Sequence, residues 1–316
     1  MTGVADGLAD ELAKAGCAVR VAEPLSRHTS MGVGGPADIF ASVPDSAALA
    51  AVLRITGARA ARRMVIGRGT NLIPSDAGFR GVVIGLGDGF AAVTFEGTGV
   101  RAGAATLLAK LVDGAAERGM GGLEFAAGIP GSLGGAVVCN AGTAEEWMGS
   151  RVVSVTNVGE DGNETEVPGS ALRFSYRSSS LKGSAAVLSR IRLGLTARPA
   201  AEVRARTTQV REGRRGQPVD LPSAGCAFRN PPGDHAGRLI DAAGLKGFRV
   251  GGIEVSPRHA NFLVNRGGGR SADVVEAMQT VRERVWTAAG ILLEPEVVVL
   301  DEEGRPVNLP VPAAKC

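Results

Sequence analysis

The stretch Gly128 to Gly142, GIPGSLGGAVVCNAG, most narrowly limits what this chain can become. Its first eight residues hold four glycines and a proline. Each glycine costs roughly 1 kcal/mol against alanine inside a helix or strand, and the proline removes a backbone donor, so the stretch is expected to be loop. Glycine at this density suits a place where backbone N–H groups approach a ligand with no Cβ in the way. A pyrophosphate is the commonest such ligand; a sharp turn between two sheets is the plainer alternative. A second such stretch, Gly67 to Ser75 (GRGTNLIPS), follows the apolar run Met64 to Ile66. Neither reads GxGxxG at the start of a helix nor GxxxxGK[ST], so dinucleotide-binding and P-loop patterns both fail on spacing. Two strand-fed loops closing on one extended, doubly phosphorylated cofactor explain the pair better than two unrelated turns.

With 316 residues and 44% hydrophobic content, the chain can bury a sizeable core and is expected to form two or three domains. Aromatic residues make up only 4%, which argues against the stacking platforms of single-strand nucleic-acid binding. The formal charge of +3 comes from interleaved acids and bases. The N-terminus carries acids inside its apolar pattern, shows no signal-peptide core, and no run of about 18 apolar residues occurs, so a cytoplasmic protein without membrane attachment is expected. Cys17, Cys139, Cys226 and Cys316 form no CxxC pair and His28, His235 and His259 are scattered, indicating neither a disulfide framework nor a metal site.

The periodicities predict an N-terminal helix over residues 4–15 with Val4, Leu8, Leu12 and Ala13 on one face, and a helix over Asp45 to Ile55. Another is expected over Ala104 to Arg118 with Leu107, Leu108, Leu111 and Val112 inward, and a basic one over 201–215. The last runs to Ala289, N-capped by Ser271. Strands are expected at Ile39 to Val43, Met64 to Ile66, Gly81 to Leu86, Gly97 to Gly103, Arg151 to Val158, Glu164 to Val167 and Ala186 to Leu195. Tyr176, the only tyrosine, reads as a core residue with a wet hydroxyl, and Asp220 to Asn230 as loop. Ile291 to Leu300 reads as a buried strand, in which Glu294 and Glu296 are costly unless paired or functional.

At this point the sequence resembles the UDP-N-acetylenolpyruvoylglucosamine reductases (UDP-N-acetylmuramate dehydrogenases, MurB) of peptidoglycan precursor synthesis. The likeness covers nearly the whole chain. It rests on Thr29 to Asp38, Gly67 to Leu72, Gly128 to Gly142, Tyr176-Arg177-Ser178, Ser223 to Pro231, Gly244 to Gly247 with His259 to Phe262, and Leu293 to Val297, in that order. The resemblance implies an α+β fold: a two-lobed FAD-binding region of the vanillyl-alcohol-oxidase (PCMH) type, with lobes at 1–74 and 75–208. A substrate-binding α+β domain at 209–302 and a tail at 303–316 complete it. With one tyrosine, the chain lacks the tyrosine-bearing loop of the longer members and resembles the shorter subtype. The family activity is NADPH-dependent reduction of UDP-N-acetylenolpyruvoylglucosamine to UDP-N-acetylmuramate through non-covalent FAD, here expected of a monomer. A flavin-dependent sugar or alcohol oxidase of the same superfamily, or a non-catalytic flavin-binding relative, is the alternative.

An enol ether accepts hydride poorly unless its carboxylate is drawn toward an enolate-like form, so positive charge or a proton must sit there as charge develops. The resemblance places Arg177 and Glu296 at that carboxylate. It places the acid that protonates C2 at Cys226, where most relatives carry serine; a thiol of reference pKa about 8.5 is mostly protonated at neutral pH and can serve. For FAD it implies Gly67, Gly69, Thr70, Asn71 and Leu72 with Gly128, Ile129, Pro130, Gly131, Gly134, Gly135, Ala136, Asn140, Ala141 and Gly142. For the UDP-sugar it implies Tyr176, Asn230, Lys246 and His259, with Arg214 or Arg215 near the diphosphate. Two further positions depart from the family pattern: Gly216 stands where lysine is usual, and His28 where asparagine is common.

Overall fold

The computed structural model describes the backbone of residues 2–311 and the side chains of residues 7–311. Its contacts divide the chain into two units: Met1–Val21, Ile39–Arg68 and Val82–Arg214 form one, and Ala22–Asp38, Gly69–Gly81 and Arg215–Cys316 the other.

The first unit holds two cores. In one, helix α1 (Thr2–Lys14) and helix α2 (Ser46–Ala58) bury Leu8, Ala9, Leu12, Leu49, Val52 and Leu53 with strand residues Ile39, Ala41, Val82 and Ile84. Ala9, not the expected Ala13, completes the α1 face, and the side chain of Val4 lies outside the described residues. Asp45 caps α2, its carboxylate accepting from Ala48 N at 2.9 Å. The strands of this layer run in the order Ala18–Pro24, Pro36–Val43, Phe79–Leu86, Arg63–Ile66, the last two parallel.

The other core of this unit lies under a five-stranded antiparallel sheet of order Glu164–Pro168, Val152–Val158, Val187–Gly194, Gly99–Gly103, Val93–Glu96. Helix α3 (Leu108–Glu117) buries Leu108, Leu111 and Val112 against it. It starts later than the periodicity predicts, because Ala104 N and Ala105 N donate to Ser189 O and Phe90 O rather than entering a helix. Leu107 therefore sits at the cap, 37% exposed, instead of facing inward. The glycine stretch is not all loop. Leu133–Val138 forms helix α4, begun by Ser132, whose Oγ accepts from Gly135 N. Helix α5 (Ala200–Gly213) ends the unit.

The second unit is built on the antiparallel order Ser223–Cys226, Phe262–Asn265, Ile253–Val255, Arg249–Val250. Ser223–Cys226, expected as loop, is a strand interrupted by a bulge at Ala224–Gly225, where Gly225 takes φ +80°. Helix α6 (Ala236–Ala242) and helix α7 (Ser271–Ala289) cover the sheet, α7 through Val274, Met278, Val281 and Val285. Gly290 closes α7 at φ +66°. Only Val298–Leu300 of the expected final strand is regular, parallel to Leu72–Pro74 inside the first glycine loop. Pro295, lacking an N–H, makes one bridge with Phe228 instead. Of the expected tail, residues 312–316, including Cys316, lie outside the described residues.

Ser271 is not the cap of α7. It is the first helical residue, and its hydroxyl donates to Pro74 O at 2.5 Å. Asp76 does the capping, accepting Ser271 N and Ala272 N on its two carboxylate oxygens at 2.9 Å each. Asp76→Ala is expected to lower stability by about 1–2 kcal/mol, the cost of losing a helix cap; a urea midpoint equal to the parent's would contradict the assignment. Among the described residues no helix is long and apolar enough to cross a membrane.

Candidate functional site

In the first unit, Gly67 and the Gly128–Gly142 stretch lie side by side: a Cβ on Gly67 would stand 2.6 Å from Ser132 Oγ. Gly134 packs flat, since a Cβ there would stand 2.9 Å from Ala104 Cβ, and its N–H donates to Ala104 O at 2.9 Å. Gly128 and Gly131 take φ +83° and +126°. The structure sorts the expected cofactor residues. Gly67, Gly128, Pro130 and Gly135 are exposed, Ile129 and Gly131 half-buried, and Gly134, Ala136, Asn140, Ala141 and Gly142 buried. The exposed surface is therefore nearly all backbone, which fits a group recognised through main-chain atoms. Arg214 belongs to this loop: its Nη2 donates to Phe125 O at 2.9 Å and its Cδ lies beneath Gly128.

Asn140 has a scaffold role that the sequence did not reveal. Held at φ +47°, it donates from Nδ2 to Ser175 O at 2.7 Å and accepts from Gly149 N at 2.9 Å. Ser175 ends the first arm of a hairpin, Phe174–Ser175 with Ser178–Ser179, whose two-residue turn is Tyr176–Arg177. Ser179 Oγ ties the second arm to Val138 O at 2.7 Å. The turn is strained at Arg177, φ +56°. Tyr176 is 46% exposed rather than a core residue, and the Arg177 guanidinium carbon lies 5.7 Å from its ring centroid. One anchor thus joins the glycine stretch to the tyrosine–arginine turn.

In the second unit, Gly69 (φ +58°) presses on residues 28 and 29, since a Cβ there would stand 2.1 Å from His28 O. Thr70 and Asn71 follow, and Leu72 opens the strand already described. Asn71 O accepts Val298 N at 3.0 Å and Asn71 Nδ2 donates to Glu296 O at 3.3 Å. Cys226, half-buried, pairs with Phe262 on one side. Next to it, Ala227 O accepts Glu296 N at 2.8 Å, and Glu294 O accepts Arg229 N at 2.9 Å. Asn261 clamps the same strand, accepting Phe228 N at 3.0 Å and donating to Phe228 O at 2.8 Å. The thiol and Glu296 are thus on adjoining extended segments. Glu296 is half-buried, whereas Glu294 is exposed beside Arg229 at 3.5 Å, so only Glu296 retains the character expected of both.

The expected sugar-nucleotide residues of this unit gather around α6. Asn230 Oδ1 accepts Ala236 N at 3.0 Å at its start, Lys246 Nζ donates to Asp241 at 2.6 Å near its end, and the His259 ring lies over Gly237. His259 stands edge-on to Phe262 at 4.9 Å, and its Nδ1 accepts from Asn261 N at 3.3 Å. Burial, with a smaller contribution from the Lys246 charge, pushes its pKa below the ordinary histidine value.

Comparison with known proteins identifies both regions of the chain. A profile described as an FAD binding domain matches residues 37–167, and one for the C-terminal domain of UDP-N-acetylenolpyruvoylglucosamine reductase matches residues 217–300. UDP-N-acetylenolpyruvoylglucosamine reductase 2 of Symbiobacterium thermophilum is 42% identical over 282 residues, 89% of this chain and 92% of the relative. The reductase of Heliobacterium modesticaldum is 43% identical over 289 residues, 90% and 92% of the two chains. The crystal structure of the Thermus caldophilus reductase superposes with a TM-score of 0.77 at 40% identity, covering 90% of this chain and 98% of that one.

Proposed function

This chain belongs to the UDP-N-acetylenolpyruvoylglucosamine reductase family, and from that premise we propose how its own residues reduce UDP-N-acetylenolpyruvoylglucosamine to UDP-N-acetylmuramate for peptidoglycan synthesis. The observation that carries the reading is the placement of Cys226 and Glu296 on adjoining segments of the reductase-type C-terminal region.

In the first unit the backbone surface of Gly67, Gly128, Gly131 and Gly135 fits FAD, with Gly134, Ala136, Asn140, Ala141 and Gly142 shaping that surface from beneath; in the second unit the turn Gly69 to Leu72 is assigned to FAD on the family resemblance. When bound, FAD supplies the two-electron relay between NADPH and C3 of the enolpyruvyl group. The chain's residues do the rest. Arg177 offers a planar fork to the substrate carboxylate. Glu296 offers a carboxyl proton to the negative charge that develops there as the double bond is lost. Cys226 gives its thiol proton to C2, completing the addition of two hydrogens, and is reprotonated from solvent. Asn230, Lys246, His259 and Tyr176 are assigned to the UDP-sugar, and Arg214 to its diphosphate.

The reading takes the enzyme as a cytoplasmic monomer acting on a small molecule, with lobes at 1–74 and 75–208 and the substrate domain at 209–302. An oxidase of the same superfamily would not account for the C-terminal match. Incubation with NADPH and the enolpyruvyl UDP-sugar under argon should consume the two in equal amounts and yield a product heavier by one hydrogen molecule. NADPH consumption that requires oxygen and leaves the sugar unchanged would overturn the reading.

Arg177→Lys tests one role separately. An ammonium is a point charge that does not reproduce the bidentate fork, so the variant should lose at least about tenfold in kcat/KM, in line with a charge-assisted hydrogen bond of about 1.5–3 kcal/mol. Near-parental turnover would remove Arg177 from the carboxylate.

A further inference from the structure

Ser30 lies in the segment just before the strand Pro36–Val43, and neither composition nor motif spacing gives it a role. In the structure it stands between two carbonyls of the second unit. Its N–H donates to Gly69 O at 3.1 Å, and its hydroxyl donates to Ser223 O at 2.6 Å, with Gly69 O a longer alternative at 3.4 Å. Gly69 belongs to the cofactor turn, and Ser223 opens the strand that ends at Cys226. Two residues beyond Gly69, Asn71 makes the matching pair of bonds to the other reacting segment, through its amide to Glu296 O and its carbonyl from Val298 N. The turn Gly69–Asn71 is thereby tied to the acid's strand on one side and to the carboxylate's segment on the other.

These ties are specific to their positions. The strand Ser223–Cys226 pairs regularly on one side only, and the bulge at Ala224–Gly225 leaves its path underdetermined by the sheet. A fixed point at Ser223 O removes that freedom three residues before the thiol. The segment 291–297 has no ladder of its own, so Glu296 depends on Ala227 O, the Asn71 amide and the Val298–Asn71 bond for its register.

We propose that Ser30 is a positioning residue that sets Cys226 in register with the cofactor turn, to which Asn71 ties Glu296, so that proton delivery depends on Ser30 while cofactor retention does not. This rests on the roles assigned above to Cys226 and Glu296. Misplacing a reacting group by about an ångström can cost up to about a hundredfold.

The test uses the flavin-loaded Ser30→Ala and Ser30→Thr proteins. Three quantities are read: bound FAD per chain, the rates of flavin bleaching by NADPH and of recolouring by the enolpyruvyl sugar, and the rate of Cys226 alkylation by iodoacetamide mapped by mass spectrometry. Ser30→Ala is expected to retain FAD and to bleach within about twofold of the parent, while recolouring at least about tenfold more slowly. Ser30→Ala should also change the alkylation rate severalfold, and Ser30→Thr, which keeps the hydroxyl, should restore both. Equal slowing of the two half-reactions, or FAD loss in proportion to lost activity, would overturn the proposal. So would parental recolouring in Ser30→Ala where Cys226→Ala is slow. If Cys226→Ala itself recolours at the parental rate, the underlying assignment fails, and the proposal with it.

Discussion

Cys226→Ala should bind FAD and be bleached by NADPH at the parental rate, yet recolour with the enolpyruvyl sugar about a hundred- to ten-thousandfold more slowly, the usual span for loss of a general acid. Passage of electrons into the flavin needs no proton from Cys226. Completion of the addition at C2 does. Cys226→Ser should recover much of the lost rate, since both side chains are small donors at one backbone position, with some loss from the weaker acidity and shorter reach of oxygen. The thiol also carries a liability that serine lacks. Once deprotonated it donates nothing, so activity should fall as pH rises through the thiol's own titration. An alkylating reagent should block the second half-reaction, with substrate protecting. The serine variant should resist both treatments. Recolouring of Cys226→Ala at the parental rate would mean that the proton comes from elsewhere.

Glu296→Gln should spare the NADPH half-reaction and slow the substrate half-reaction by about a hundred- to a thousandfold, the loss expected when a carboxyl that can offer its proton to developing negative charge is replaced by an amide that cannot transfer one. The substitution is nearly isosteric. Glu296 holds its place through backbone bonds, its N–H to Ala227 O and its carbonyl from the Asn71 amide, so its position should survive the change. Equal slowing of both half-reactions would instead make Glu296 part of general architecture.

The parts of this account that were legible in the sequence are those that depend on local periodicity. The α7 stripe of Val274, Met278, Val281 and Val285 announces a helix without reference to anything distant, and Gly290 announces its end. Asp76, by contrast, caps that helix from 195 residues away, and no spacing rule connects the two. The glycine stretch was half legible. Its density correctly signalled close backbone approach, at Gly134 against Ala104, but the propensity argument for loop yielded to Ser132, which starts a short helix through the glycines. Tertiary pairing likewise overrode composition at Ile291 to Leu300, where Pro295 breaks the ladder and leaves Glu294 in solvent.

The candidate site shows the same division. Which residues matter could be listed from the motifs, but what each side chain does could not. Asn140 sits inside a cofactor motif, yet its amide is spent on Ser175 O and Gly149 N. Asn230 spends its carbonyl on the start of α6. Tyr176 reads as core by rarity and hydrophobicity, but it occupies a turn whose shape is imposed by its flanking two-residue strands. The second unit also draws in Ala22–Asp38 and Gly69–Gly81, an arrangement that depends on contacts between segments far apart in the chain.

Anaerobic stopped-flow mixing tests the central claim most directly. The purified protein, yellow with bound FAD, is first bleached with one equivalent of NADPH and then mixed with UDP-N-acetylenolpyruvoylglucosamine in the absence of oxygen. Full return of the flavin colour is expected, at a rate that rises to saturation with sugar concentration, with UDP-N-acetylmuramate formed in equal amount. Colour that returns only when oxygen is admitted, and at a rate indifferent to the sugar, would contradict it.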